Sequence, residues 1–437
     1  MKDNVTSNFT FAHFSDIHIG SWRDPRMRDF ATQAFVKAMQ ECIKRHIDFI
    51  LLSGDIFNTP MPPIDKLKTV TGMLKRLHEQ EIPVYIIAGS HDYSPSGKTM
   101  LDVLEEAGLV KNVAKGDVQG MQGEEGKENG KGKLCLRFTT DQKTGAKITG
   151  LLGKKGMLDR KYYEELDKTN LEAEQGYKIF MLHTALSEFK PKELEQMEAH
   201  PLSLLPKGFD YYAAGHVHYI FSKQQEGYGF IAYPGALFPC NFRELEQFGC
   251  GGGYFVQVHT TPEGKREQTV QWEPMRVADT LCLSMDGHRK TPHQIEEELV
   301  QQIRKSEVYG KIVLIRIAGT LASGSLYDIH FTSMFGMLYE RGAHFVMKNT
   351  AKLVAEGVDD LGTIGMALQQ PEQIEEAVIT EYLGQLKLGL SRDEEKEFTQ
   401  SILGVLATEK SEGETNTTFE TRVKEEMERV LQEKKVI

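Results

Sequence analysis

Five short apolar runs in the first half of the chain each hand over to aspartate or histidine. Phe9–Phe14 is followed by Asp16-Ile17-His18, and Ile47–Ser53 by Gly54-Asp55-Ile56-Phe57-Asn58. Pro83–Ala88 is followed by Gly89-Ser90-His91-Asp92, Tyr177–Leu182 by His183, and Asp210–Ala214 by Gly215-His216-Val217-His218. Runs of this length read as strands. Arg26–Arg45 and Pro63–Gln80, lying between them, carry apolar residues at helical spacing. Strands alternating with helices imply a layered α/β domain, which places its site beyond the carboxyl ends of the strands. Five strands then deliver acids and imidazoles to one rim.

Taken singly, these motifs are weak. An Asp-x-His pair is common on surfaces, Gly-Asp is an ordinary strand-to-turn junction, and a lone histidine usually serves the core. Recurrence of all five after strands is what separates them from His13, His46, His78, His200, His259, His288, His293, His330 and His344. Those histidines lack the context and are read as structural. Carboxylate with imidazole suits divalent cations such as manganese, iron or zinc. Residues i and i+2 of an extended chain point the same way, so Asp16 and His18, or His216 and His218, converge if the backbone stays extended. Two cations ~3.5–4 Å apart need a bridging carboxylate, and Asp55 is the natural one.

The chain has 437 residues, which suggests two or three domains. It has no run of 18 uncharged apolar residues, and its first residues lack the apolar stretch of a secretory signal. A cytoplasmic, nucleoid-associated location with no membrane contact is expected. Cys42, Cys135, Cys240, Cys250 and Cys282 show no CxxC spacing and read as reduced thiols. Net charge is −11, but residues 371–437 supply −7 of it, with nine basic against sixteen acidic side chains. The body of the protein is thus closer to neutral than the total suggests.

Gly116–Lys133, rich in Gly, Glu and Lys, reads as a flexible loop. The expected division is residues 1–275 as the main domain, 276–352 as a small α+β cap, 353–370 as a linker and 371–437 as a helical segment. The cap carries a helix at Pro292–Arg304 and a strand at Lys311–Gly319. Tail helices are expected over Pro371–Lys387, Arg392–Thr408 and Thr418–Lys434, with capping boxes at Ser391/Glu394 and Thr417/Glu420.

The motifs Asp16-x-His18, Gly54-Asp55, Gly89-Ser90-His91-Asp92, His183 and Gly215-His216-x-His218 resemble those of the calcineurin-like metallophosphoesterases. Ser15–Gly20 (SDIHIG), Ser53–Pro63 (SGDIFNTPMPP) and Lys311–Leu321 resemble the SbcD-type nucleases of DNA double-strand-break repair, of archaeal appearance. This resemblance implies a layered β-sandwich flanked by helices and a two-metal phosphodiesterase, with Mn2+ the expected ion. Asp16, His18, Asp55 and His218 would hold one ion, and Asp55, Ser90, His183 and His216 the other. His91 would protonate the departing oxygen. The implied activity is 3′-to-5′ exonuclease action on duplex ends, with endonuclease action on single strands or hairpins.

The resemblance also implies DNA, a homodimer and an SMC-like coiled-coil ATPase as partners. The ATPase would dock on the tail helices, through Ile402, Leu403, Val405 and Leu406. The homodimer would use Pro63–Gln80 and Lys98–Ala107. Candidate phosphate contacts are Asn58, Arg23, Arg26, Lys98, Lys154, Lys155 and Arg243. Two positions depart from the family pattern: Ser90 stands where the family has Asn, and Asn58 where many members have His. A different phosphoesterase, or a non-cutting scaffold, are the alternatives that the motifs leave open.

Overall fold

Phe11 on one sheet stacks flat on Phe49 beside it (ring centroids 5.0 Å) and meets Tyr211 of a second sheet edge-on at 5.2 Å. This aromatic layer is the middle of a β-sandwich. Each buried ring contributes roughly 2–3 kcal/mol by leaving water. The computed structural model describes residues 8–94, 99–119, 133–191, 194–261, 266–355, 391–408 and 416–433.

The first sheet contains β1 (Phe9–Phe14), β2 (Phe49–Ser53), β3 (Val84–Ile87) and β4 (Lys111–Asn112), all parallel. The antiparallel strands β13 (Gly252–Thr260) and β14 (Arg266–Pro274) extend it beyond β1. A separate ribbon pairs β5 (Gly116–Gln119) with β6 (Lys133–Leu136). The second sheet is built on the parallel strands β8 (Lys147–Gly150), β9 (Lys178–His183), β10 (Tyr211–Gly215) and β12 (Gly229–Tyr233). Its edges are the antiparallel β7 (Thr139–Thr140) and β11 (Phe221–Gln225).

Helix α1 (Phe30–Lys44) packs beside α2 (Ile64–Glu79). The outer core takes Ala34, Phe35, Ala38 and Cys42 of α1 with Val70, Leu74 and Leu77 of α2. The shorter helices are α3 (Met100–Glu106), α4 (Arg160–Glu164), α5 (Thr169–Ala173) and α6 (Phe242–Phe248). Strands β15 (Thr280–Asp286), β16 (Ile312–Thr320) and β17 (Phe345–Val354) form a three-stranded sheet, with helices α7 (Pro292–Lys305) and α8 (Phe331–Glu340) between them in sequence. The tail holds α9 (Arg392–Leu406) and α10 (Asn416–Glu433), which pack on each other.

The layered α/β expectation holds, with local corrections. Helix α1 starts at Phe30, not Arg26, because Asp24 accepts the Arg26 amide (2.9 Å) and folds residues 24–27 into a turn. Part of the expected loop 116–133 is strand, since Gly116–Gln119 pairs with Lys133–Leu136; residues 120–132 lie outside the described residues. The Ser391/Glu394 capping box forms, whereas α10 already begins at Asn416, ahead of Thr417. The helix expected over Pro371–Lys387 lies outside the described residues.

Two compact units are distinguishable. One comprises Met1–Met285, Glu298–Arg316 and His330–Asn349, and the other Asp286–Glu297, Ile317–Ile329 and Thr350–Ile437. Within the first, Arg26 lies over the rings of Tyr339 (4.7 Å) and Phe345 (5.0 Å), and the Arg26 carbonyl accepts from His344 Nε2 at 2.7 Å. Arg316 forms a forked ion pair with Glu246, and Ile312 and Leu314 join the outer core.

Candidate metal centre

The parallel strands of both sheets end on the same rim. There β1 delivers Asp16 and His18, β2 delivers Asp55, and β3 delivers Ser90 and His91. From the second sheet, β9 ends in His183 and β10 leads into His216 and His218. Asp16, His18, Asp55, Ser90 and His183 are all at most 6% exposed. Among the described residues, three groups of side chains bring ligand atoms within 4.8 Å of one another: Asp16/Asp55/His183, His18/Asp55/His91 and His18/His218/Cys240. Asp55 belongs to two of them, as a bridging carboxylate must.

The convergence does not come from extended backbone. Asp16 (φ 50°), His18 (φ 46°), Asp55 (φ 52°) and His216 (φ 86°) all have left-handed conformations. Asp and His tolerate this region better than most residues, yet each such residue still costs about 1–2 kcal/mol. Backbone bonds hold the kinks: Asp16 N–H donates to the Gly54 carbonyl (3.1 Å) and His18 N–H to the Asp55 carbonyl (2.9 Å). The His216 amide donates to both Asp16 oxygens, at 3.1 and 3.0 Å. Ser15 Oγ adds a second donor to Asp16 at 2.6 Å.

Glycines make room. A Cβ on Gly54, itself at φ 88°, would overlap His183 Nδ1, and one on Gly89 would overlap Asp55 Oδ1. The Gly-Asp and Gly-Ser-His spacings therefore have a steric cause.

Each imidazole is oriented through its Nδ1 or its backbone. His183 Nδ1–H donates to the Ser53 carbonyl at 2.7 Å, which leaves Nε2 facing Asp55 Oδ2 (3.2 Å) and Asp16 Oδ1 (3.9 Å). That Nε2 is buried and makes no hydrogen bond. A buried imidazole nitrogen without a hydrogen bond, aimed at two carboxylates, fits a cation. His91 Nδ1–H donates to the Asn58 carbonyl (2.9 Å), and its amide donates to Asp55 Oδ1 (2.7 Å). The His91 ring meets the His18 ring edge-on at 4.9 Å. His18 Nε2 and His218 Nε2 are 3.0 Å apart, and His218 Nε2 is 3.4 Å from Asp16 Oδ1. His216 packs its ring against His183 at 5.3 Å.

Charge follows the same geometry. The carboxylates favour protons on two of the imidazoles. Against strong desolvation, Asp55 raises His183 to about 9, while Asp16 and Glu244 raise His218 to about 10. His18 and His216 are pushed down to about 4, chiefly by burial and then by the neighbouring imidazolium charges. Asp16 and Asp55 lie well below the usual carboxylate range because the pull of the imidazoles outweighs their burial.

Asp92 has a structural task. Its carboxylate accepts the amides of Ile56 (3.2 Å), Phe57 (3.0 Å) and Gly89 (3.1 Å), locking the β2 and β3 loops together. Burial and the nearby Asp55 raise it to about 7. Ser90 is buried between Gly89 and His91. Asn58 takes part through its backbone carbonyl.

Two residues carry no motif and still belong here. Glu244 accepts from His218 Nδ1 at 2.9 Å, and Cys240 stands with His18 and His218. A carboxylate behind a ligand histidine is the usual orienting device. Their sequence position, Cys240 in the loop after β12 and Glu244 in the first turn of α6, carries no metal-ligand spacing.

Among the expected phosphate contacts, Arg26 is committed to Asp24 and two aromatic rings. Lys154 is held by Tyr162 Oη (2.7 Å) and lies over Tyr93 and Tyr162. Arg23, Lys155 and Arg243 are exposed, and Lys98 lies outside the described residues. Arg243 borders a cavity of about 290 Å³ shared with His216, His218, Tyr219 and Phe248.

Comparison with known proteins agrees with this geometry. The family model for calcineurin-like phosphoesterase matches residues 9–219. The chain is 27% identical over 259 residues to the DNA double-strand break repair protein Mre11 of Methanococcus maripaludis, covering 56% of this chain and 62% of that protein. It is 30% identical over 256 residues to the Mre11 protein of Methanocaldococcus jannaschii (57% and 62%). The Mre11 protein of Sulfurisphaera tokodaii is 31% identical over 297 residues (66% and 63%). The chain thus spans less than two thirds of these relatives' lengths. Residues 9–219, with the aspartates and histidines at their strand ends, match a calcineurin-like phosphoesterase domain.

Proposed function

We propose that the chain is a metal-dependent phosphodiesterase acting on DNA, a nuclease of the double-strand-break repair type, with manganese as its ion. The observation that carries this is Asp55, shared between two ligand groups on one rim. Asp16, His18, Asp55 and His218 hold one cation, and Asp55, Ser90, His183 and His216 the other. Bound there, divalent ions supply Lewis acidity for a phosphodiester and readiness of a water for attack. Serine offers a shorter, neutral ligand than the family's asparagine, which makes the second position the weaker.

His91 is the proton donor in this reading. With its Nδ1–H fixed on the Asn58 carbonyl, the ring presents Nε2 to the rim. A histidine there can protonate the departing 3′ oxygen near neutral pH. Exposed Arg23, Lys155 and Arg243 meet phosphates, so affinity falls steeply with salt. The cap at 276–352 and the tail at 371–437 complete the assembly. Leu403 and Leu406 stay 37% and 64% exposed on α9, available to a coiled-coil ATPase. For a homodimer, the exposed apolar residues are Met61, Ile64 and Val103, since Val70, Met73, Leu74 and Leu77 of α2 are buried in the core.

The deciding experiment incubates end-labelled linear duplex DNA with manganese and compares the wild type with His91→Ala. Stepwise 3′-end shortening that needs manganese and is lost in the variant is expected. Hydrolysis of a small phosphodiester without DNA cleavage would instead assign a different phosphoesterase. DNA binding with neither reaction would assign a scaffold.

A further inference from the structure

Cys240 sits at the metal rim without belonging to any of the five motifs. Its Sγ lies within 4.8 Å of the ligand nitrogens of His18 and His218, and the side chain is half-buried. The His18 side chain is 5% exposed, and its Nε2 faces His218 Nε2 across 3.0 Å. Glu244 organises the group. One of its oxygens takes His218 Nδ1–H (2.9 Å), which turns the Nε2 lone pair of His218 inward. The other takes the Cys240 amide (2.8 Å), which fixes the backbone carrying the thiol. Cys240 directly precedes Asn241, the N-cap of α6, whose side chain accepts from the Glu244 amide (3.0 Å). No other cysteine stands in such a group among the described residues.

We infer that Cys240 is an additional, thiolate ligand on the His18–His218 side of the centre, where two imidazole nitrogens and one sulfur capture a soft or borderline cation such as zinc or cadmium. The inference rests on the metal-centre reading above and adds to it a rival ion. The two histidines face two ligand sets. Toward Asp16 (3.4 Å from His218 Nε2) and Asp55 (3.5 Å from His18 Nε2) they complete a carboxylate-rich set suited to manganese. Toward Cys240 they complete a set suited to zinc. Binding exchanges the thiol proton for the metal: Cys–SH and M2+ give Cys–S–M+ and H+, with no change in oxidation state. The thiol's present contact, donation to the Phe238 carbonyl at 3.5 Å, is a weak bond to give up. Zinc bound this way holds His18 and His218 away from the manganese set, so it acts as an antagonist.

The test uses the full-length protein stripped of metal and titrated with cobalt(II), zinc and manganese. Wild type with cobalt is expected to show a near-ultraviolet thiolate-to-metal charge-transfer band beside the visible d–d bands. In Cys240→Ser and Cys240→Ala the charge-transfer band disappears and the d–d bands remain. Zinc affinity falls roughly tenfold or more in both variants, on the scale of a lost ligand-shell contact, while manganese affinity holds. Cobalt d–d bands without a charge-transfer band in the wild type would overturn the thiol assignment and leave the centre standing. A charge-transfer band that persists in Cys240→Ala would place the sulfur elsewhere and also overturn it. Failure of all three ions to bind would remove the metal-centre reading itself.

Discussion

Glu244 divides its two carboxylate oxygens between a histidine ring and a backbone amide: His218 Nδ1 at 2.9 Å and Cys240 N at 2.8 Å. The pull of His218 keeps this carboxylate ionised despite its burial. It therefore sets both the tautomer and the direction of His218. Glu244→Ala is expected to weaken divalent-metal binding about 10- to 100-fold with the fold intact. Isothermal titration of the metal-free protein measures this; an unchanged affinity would mean that His218 is oriented by something else.

The His91 amide bonds Asp55, and that contact survives removal of the ring, which itself touches the Asn58 carbonyl and the edge of His18. His91→Ala should lower turnover by about 10²–10⁴ while the protein still takes up its full metal complement. Turnover close to wild type would eliminate His91 as the proton donor.

Gly54 combines a positive φ of 88° with direct contact against the His183 ring. Gly54→Ala meets both obstacles, and we expect a loss of roughly 2–4 kcal/mol of stability together with loss of metal. Thermal melts and metal content of the soluble fraction test this. A variant that melts like the wild type and keeps its metal would show that the β2–β9 contact is slack.

Protons and metal compete for the same nitrogens. In the metal-free protein His183 and His218 are raised to about 9 and about 10. Those protonated rings contribute stability fully present below their unfolded value near 6.5, lost as pH rises through 9 and 10. The metal-loaded protein shows the opposite trend, since only the deprotonated rings can bind metal. Metal affinity should therefore rise between pH ~6 and ~9, with protons released on binding. Calorimetry in two buffers of different ionisation enthalpy counts those protons; an affinity that is flat with pH would refute the coupling.

Arg243 borders the cavity beside His216 and His218 and is exposed. Arg243→Ala should weaken DNA binding to all sequences alike and flatten the plot of log affinity against log salt by about 1. An unchanged slope would place the phosphate path elsewhere.

Much of the site could be read from the sequence because the acid and histidine motifs recur after five apolar runs, and the strand ends are where open sheets gather ligands. The local backbone was not legible. Extended geometry at Asp16-Ile17-His18 and His216-Val217-His218 was the simple expectation, whereas left-handed kinks do the work. The kinks at Asp16 and His18 are held by bonds to residues 54 and 55, and the kink at His216 by the Asp16 carboxylate, all far along the chain. Glu244 and Cys240 were invisible for a related reason: they reach the rim from α6 and from the loop that leads into it, with no spacing to mark them. The fate of Arg26 depended on Tyr339 and Phe345, more than three hundred residues away, and no local pattern carries that information.

His18 and His218 are 200 positions apart along the chain, yet their ring nitrogens nearly touch. An ion gripped by both fastens the opening of the domain to its far side, like a clasp closing a long loop. Closure entropy grows only logarithmically with loop length, so a clasp of this span removes freedom mainly from the unfolded chain. Metal supply would then govern how long the protein survives in the cell as well as whether it cuts. A chelator should therefore show up as accelerated proteolysis of the whole domain.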